Sequence, residues 1–101
     1  MVDVDEKQRL WTTVVRSFDS EEPGKFFEVL QSCVDQDPSL ASCRDPVGIT
    51  LLHYAAAKGC RASCEFLLAR GASKHAKNSL GDTPATDAVA FEHPELVSLL
   101  S

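Results

Sequence analysis

Four cysteines and three histidines are the side chains of this sequence best suited to metal ligation or nucleophilic chemistry. Cys60 and Cys64 lie four residues apart, so both thiols would share one face of a helix. A structural zinc site needs four ligands, and neither a C-x2-C pair nor an H-x3-H pair accompanies these two. The spacing therefore favours Cys64 as a small apolar core residue over Cys64 as a metal ligand.

The remaining chemistry-bearing residues also lack a reactive context. No G-x-S-x-G segment, no G-x-x-x-x-G-K-[ST] phosphate loop and no evident carboxylate pair occurs in the sequence. The sequence therefore predicts no enzyme, no cofactor and no metal site. A thiol or metal-binding protein stays open as a less favoured hypothesis, with Cys60 as the thiol whose exposure would let it react. The cysteines in question are Cys33, Cys43, Cys60 and Cys64.

The clearest pattern in the sequence is a repeat with a period of thirty-three residues. The pairs that recur at this spacing are Gly48 and Gly81, Thr50 and Thr83, Ala55 and Ala88, and Leu67 and Leu100. Units of this size stack into a solenoid with an exposed concave face, and such folds mostly bind other proteins. The period therefore predicts an interaction module.

The recurring residues also have local structural roles. Gly48 permits the positive φ of a tight turn, and the Thr50 hydroxyl can accept a hydrogen bond from the first turn of a helix. Gly59 would end that helix, and Gly71 would close a second one that carries Leu67. Each repeat is therefore expected to contain a turn followed by two short helices.

The unit from Asp45 to Ala72 is similar to the ankyrin repeat, whose pattern is D-x-x-G-x-T-P-L-H-x-A-A-x-x-G-H with a closing G-A. The segment from Asn78 to Pro84 resembles the start of a further copy. The resemblance implies an all-α solenoid of helix-turn-helix units with short β-hairpin fingers. It also implies that His53 joins adjacent repeats through its imidazole. The structural positions that it assigns are Gly48, Thr50, His53, Gly59, Gly71, Gly81, Thr83 and Pro84.

The chain is predicted to be a single domain, 1–101, of three units. Residues 1–44 lack the motif, but their apolar residues form two helical stripes joined by a polar turn at 19–22. They are interpreted as an N-terminal capping repeat. Residues 45–77 form the central repeat and residues 78–101 a C-terminal repeat. The apolar residues near the C-terminus predict weak self-association through that edge or further repeats; they are Leu96, Val97, Leu99 and Leu100.

The resemblance also implies where a protein partner would bind, namely the finger tips and the exposed side of the first helices. A charged residue at Tyr54 or Phe91 is expected to abolish binding and leave the fold intact, although packing against adjacent fingers is an equal alternative for both rings. The other possibility is that the chain is an ankyrin segment of a larger protein with its activity elsewhere. The predicted partner-binding residues are Pro46, Val47, Ile49, Tyr54, Ala57, Lys58, Ser79, Leu80, Asp82, Asp87, Ala90 and Phe91.

Charge and hydropathy narrow the function class further. The net charge of −5 divides into −4 over residues 1–44, +3 over 45–77 and −4 over 78–101. The basic residues of the middle unit are scattered along the sequence, which argues against nucleic-acid binding. No long apolar run or apolar leader is evident, so membrane association is not expected. A cytoplasmic scaffold or adaptor, with the nucleus as a second compartment, is the resulting expectation.

Overall fold

The computed structural model describes residues 4–19 and 24–100. Apart from Asp19, the predicted turn at 19–22 lies outside these residues. Within them, the predicted all-α class is confirmed: six α-helices and two short 3-10 helices are present. The α-helices are α1 (Val4–Phe18), α2 (Lys25–Gln36), α3 (Leu51–Lys58), α4 (Arg61–Ala69), α5 (Pro84–Ala90) and α6 (Val97–Leu100). The 3-10 helices are Pro38–Ser42 and Pro94–Leu96.

The helices pack as three pairs, α1 with α2, α3 with α4, and α5 with α6. The first helices of the pairs form one layer, in which α3 contacts α1 on one side and α5 on the other. Behind this layer, α2 contacts α4. One pair falls within each of the three predicted units, whose sequence boundaries stay a prediction.

The hairpin finger that the resemblance implies is reduced to a single antiparallel bridge between Arg44 and Thr50 in the described part of the chain. The loop between them is held by the Asp45 carboxylate. Its Oδ1 accepts from the backbone N–H groups of Val47 and Ile49, at 3.0 and 2.9 Å. Side-chain hydrogen bonds thus replace most of the ladder that a longer hairpin would use.

Successive finger loops lie directly against each other. The N–H of Ser79 donates to the carbonyl of Val47 at 2.8 Å. Gly48 has a φ of 80°, and a Cβ there would lie 3.0 Å from the Cα of Asn78. Glycine is therefore needed at this loop both for the left-handed backbone and for the close approach of the next finger.

Helix α3 begins and ends where the sequence predicts. The Thr50 hydroxyl accepts from the N–H of His53, and the His53 side chain bonds back to the N–H of Thr50, which completes a capping box. At the other end Gly59 adopts a left-handed φ of 76° and donates to the carbonyls of Ala55 and Ala56. Both ends of α3 are thus satisfied locally.

The core runs without interruption from α1 to α6. It includes Leu96 and Leu100, which are each 1 % exposed. Two members of the predicted C-terminal stripe are therefore covered within the chain, because they pack into the same cluster as Ala88. The large apolar residues of this last repeat that stay exposed are Leu80, Val89 and Phe91, at 83 %, 58 % and 55 %.

A membrane-spanning helix would need a long apolar segment. None of the helices in residues 4–19 and 24–100 has both the length and the hydropathy to cross a membrane.

Candidate binding groove

A groove with a volume of about 260 Å³ lies where α3, α5 and the finger tips meet. We call it the α3–α5 groove. Its floor and walls combine aromatic, aliphatic and acidic side chains. The lining residues are Phe18, Ile49, His53, Tyr54, Ala57, Asn78, Leu80, Asp82, Asp87 and Phe91.

The structure brings seven of the twelve predicted partner-binding residues into this groove. They are Ile49, Tyr54, Ala57, Leu80, Asp82, Asp87 and Phe91. Pro46 and Val47 lie on one finger and Ser79 on the next, outside the groove lining but on the exposed loops beside it. Ala90 is exposed on α5 but does not line the groove either.

Two exposed apolar side chains border the groove. Leu80 at the tip of the finger is 83 % exposed, and Phe91 after the last turn of α5 is 55 % exposed. An exposed leucine alone would be ordinary for a protein surface. Here two large apolar groups share one concave site with Tyr54, and contiguous apolar patches of this kind mark partner sites.

Tyr54 has a structural role that the sequence left undecided. Its ring packs edge-on against Phe18 at 5.5 Å and against Trp11 at 6.3 Å, both on α1. Burial raises the pKa of the Tyr54 phenol, and the nearby carboxylate of Asp45 adds to that rise. A charged replacement of Tyr54 is therefore expected to disturb the packing of α1 on α3 as well. That an exchange at the exposed Phe91 leaves the fold intact stays a prediction.

Lys58 was predicted to contact a partner, but its ammonium is engaged within the chain. Nζ donates to the carbonyl of Phe18 at 2.6 Å and lies 5.4 Å from the centre of the Phe18 ring. The positive charge thus sits at the C-terminal end of α1, where unpaired carbonyls and the helix dipole favour a cation. This contact joins residues forty positions apart and stabilises the first helical pair against α3.

His53 connects the central repeat to the next one. Its Nε2 donates to the backbone carbonyl of Asp82 at 2.9 Å, and this carbonyl can only accept. The other ring nitrogen, Nδ1, then accepts from the N–H of Thr50 at 3.1 Å and lies 2.8 Å from the Thr50 hydroxyl. The imidazole is therefore fully used as a structural bridge at the edge of the groove.

Asp87 gives the groove its acidic character. Burial raises the pKa of this carboxyl; the positive potential of His53 acts in the opposite direction, and the charge of Asp82 adds to the rise. Within residues 4–19 and 24–100, the Asp87 side chain has no hydrogen bond or ion pair. The groove therefore holds a half-buried carboxylate without a direct polar partner among the described residues.

The four thiols lie elsewhere. Cys33 and Cys64 are buried in the core, and burial raises the pKa of both, that of Cys64 to about 12. Cys43 and Cys60 are partly exposed, and the Ser63 hydroxyl donates to the sulfur of Cys60 at 3.0 Å. In the described part of the chain all four are free, and no three His, Cys, Asp or Glu side chains form a metal-binding group.

Phe18, His53 and Asn78 complete the lining, and the sequence did not assign them to a binding surface. His53 and Asn78 lie in the repeat pattern, so the register alone could have placed them beside Asp82. Phe18 had no such signal, because the first helical pair lacks the motif that would align it with Tyr54.

A match to known proteins agrees with the repeat pattern, the helical pairs and the capped turns. A family model that describes ankyrin repeats in three copies matches residues 21–101. The chain belongs to the ankyrin-repeat family. No curated protein and no solved structure matches it. Ankyrin repeats are generally protein-protein interaction modules and are typically non-enzymatic.

The position of the ankyrin match also explains the form of the first unit. It begins at residue 21, so it includes α2 and leaves α1 outside. The helix that supplies Phe18 to the ankyrin groove is thus the one that the family pattern does not describe.

Proposed function

We propose that this ankyrin-repeat chain is a non-enzymatic module that binds a protein partner through the α3–α5 groove and the finger tips beside it. The observation that carries the proposal is the exposure of both Leu80 and Phe91 in the lining of one groove. Burying two large apolar groups in one interface supplies the free energy that scattered surface residues do not.

The rest of the groove supports the same proposal. Tyr54 is held rigidly by two aromatic neighbours, so little side-chain entropy would be lost when a partner covers it. His53 and the capped turns fix the floor from which the groove residues project. A preformed, partly apolar surface with a few polar groups is the usual character of a specific binding site.

Helix α5 offers a matched pair of variants to test this proposal. Phe91 and Val89 are 55 % and 58 % exposed, but only Phe91 lines the groove. We expect Phe91→Glu to weaken partner binding by at least about thirtyfold, as for a central aromatic anchor, and Val89→Glu to leave it unchanged. The two variants change charge equally, so their difference reports on position.

The experiment begins with capture from a lysate of the source cells on immobilised wild-type chain and on each variant. A protein retained by the wild type and by Val89→Glu, and lost with Phe91→Glu, is then purified and titrated against all three. Cys60→Ser serves as a further control that should not change the affinity. Binding that depends on Cys60 and is indifferent to Phe91 and Leu80 would contradict the groove proposal and favour the thiol hypothesis.

A further inference from the structure

The two carboxylates that line the α3–α5 groove give its lining a negative charge. Asp82 and Asp87 line it, whereas no Lys or Arg does among the residues that the structure describes. The surrounding repeat reinforces this, since residues 78–101 hold four acidic side chains and no basic one. At close range the acidic lining therefore attracts cationic groups and repels anionic ones, whereas the Lys58 ammonium beside Phe18 is held by the Phe18 carbonyl.

The Asp87 carboxylate is placed to make a short-range contact. It is half-buried, its side chain has no ion pair or hydrogen bond within the described residues, and the charge of Asp82 acts on it unfavourably. The imidazole of His53 offers little compensation, because both of its nitrogens are already bonded within the chain. A carboxylate withdrawn from water without a partner is unfavourable, and a cation from outside would relieve that penalty.

The walls of the groove suit the stem of a basic side chain. Lys and Arg lay their methylene groups along apolar surface and keep the charged end at a polar group. The exposed ring of Phe91 lines the same groove as the two carboxylates and could accept a cation on its face, an interaction that this chain already uses elsewhere. The Arg70 guanidinium lies 4.7 Å from the centre of the Phe66 ring.

We propose that the α3–α5 groove binds a protein segment in which a Lys or Arg stands beside a large apolar residue. The cation pairs with Asp87, with Asp82 as a second acidic contact, and the apolar residue packs between Leu80 and Phe91. This inference rests on the proposed function, because it names the chemistry of the partner at the same groove.

The probe is a phage-displayed library of random heptapeptides, selected in parallel on the wild-type chain, Asp87→Asn and Phe91→Glu. The wild type should enrich peptides with Arg or Lys next to a large apolar residue. Asp87→Asn should keep the apolar preference and lose the basic one. Asn has the shape of Asp without its charge, so the groove itself is retained.

A peptide selected on the wild type is then titrated against the variants. Asp87→Asn should weaken its binding by about tenfold or more, as expected when a charge-assisted hydrogen bond is lost. Glu95→Gln is the matched control, since it removes the same charge from the same repeat outside the groove lining. Should Asp87→Asn fail to fold, Asp82→Asn takes its place with a smaller expected loss.

Three other results would each contradict a specific part of the proposal. If the peptides selected on the wild type are enriched in apolar residues but not in Lys or Arg, this inference is wrong and the proposed function is unaffected. An equal loss with Glu95→Gln shows long-range attraction in place of contact with Asp87, which overturns the assignment of that carboxylate. A wild-type pool no richer than that of Phe91→Glu overturns the groove as a binding site, and the proposed function with it.

Discussion

The central repeat and the repeat that follows it share one sequence pattern but differ in how it is used. In the central repeat His53 is 1 % exposed and bonds to the next finger loop. Its counterpart thirty-three residues later is Thr86, which is exposed, and its hydroxyl lies 3.2 Å from the Thr83 hydroxyl of its own turn. The pattern thus combines residues that build the unit with residues that join it to a neighbour.

The same division appears along the helices. Ala56 on α3 is fully buried, whereas its counterpart on α5, Val89, is 58 % exposed among the residues that the structure describes. Where a neighbour is present, the position holds the small residue that close packing needs. Motif positions that face inward in the unit thus persist, while those that face a neighbour change with its presence.

The helix ends provide a third contrast. Gly59 closes α3 with a φ of 76°, and its counterpart Glu92 adopts nearly the same φ of 66° after α5. A non-glycine residue in this region is strained by its Cβ. The backbone turn is therefore kept while the residue that suits it best is lost.

The largest effect predicted from this comparison is at His53. His53→Ala leaves the Thr50 N–H without its acceptor and removes one of the two donors to the Asp82 carbonyl, which keeps the Asn78 N–H. It should lower the free energy of unfolding by about 1–3 kcal/mol. Thr86→Ala, the same position in the next repeat, should cost less than about 0.5 kcal/mol because Thr86 is exposed. Urea unfolding of both variants measures the difference. Equal losses would mean that His53 does not act as a link between repeats.

Smaller effects are expected at the two helix ends, where two substitutions should change the free energy of unfolding in opposite directions. Glu92→Gly relieves a left-handed backbone and should raise the free energy of unfolding by about 1 kcal/mol. Gly59→Ala introduces that strain and should lower it by about 1–2 kcal/mol, because the new Cβ would also collide with the His93 imidazole. Thermal melts of the two variants should shift in opposite directions. A lower melting temperature for Glu92→Gly would show that Glu92 makes a compensating contact.

The smallest effect concerns the open face of α5. If Val89 stands at a position that packs against a further repeat, the chain should self-associate weakly through this face. We expect a dissociation constant of about 1 mM, which corresponds to a binding free energy of only about −4 kcal/mol. Val89→Lys should abolish the association without lowering the melting temperature, since Val89 is exposed. Sedimentation velocity over a range of concentrations tests both. A wild type that stays monomeric at the highest concentration would remove this proposal.

The sequence by itself determined the local structure of the repeats. Thr50, Gly59 and Pro84 mark helix ends through hydrogen bonds and backbone angles within a few residues, so their effect can be read from neighbouring letters. The thirty-three-residue register then placed most of the predicted binding residues on one surface, because equivalent positions of stacked repeats lie side by side.

Only the tertiary structure decided what those residues contact. The packing of Tyr54 on Phe18 and the capping of α1 by Lys58 depend on how the first helical pair docks, and that pair carries no motif from which a register could be read. The half-burial of Asp87 is likewise set by its neighbours in space. Capping is encoded by short-range hydrogen bonds, whereas burial and charge pairing depend on which distant segments meet, and a single sequence does not specify that locally.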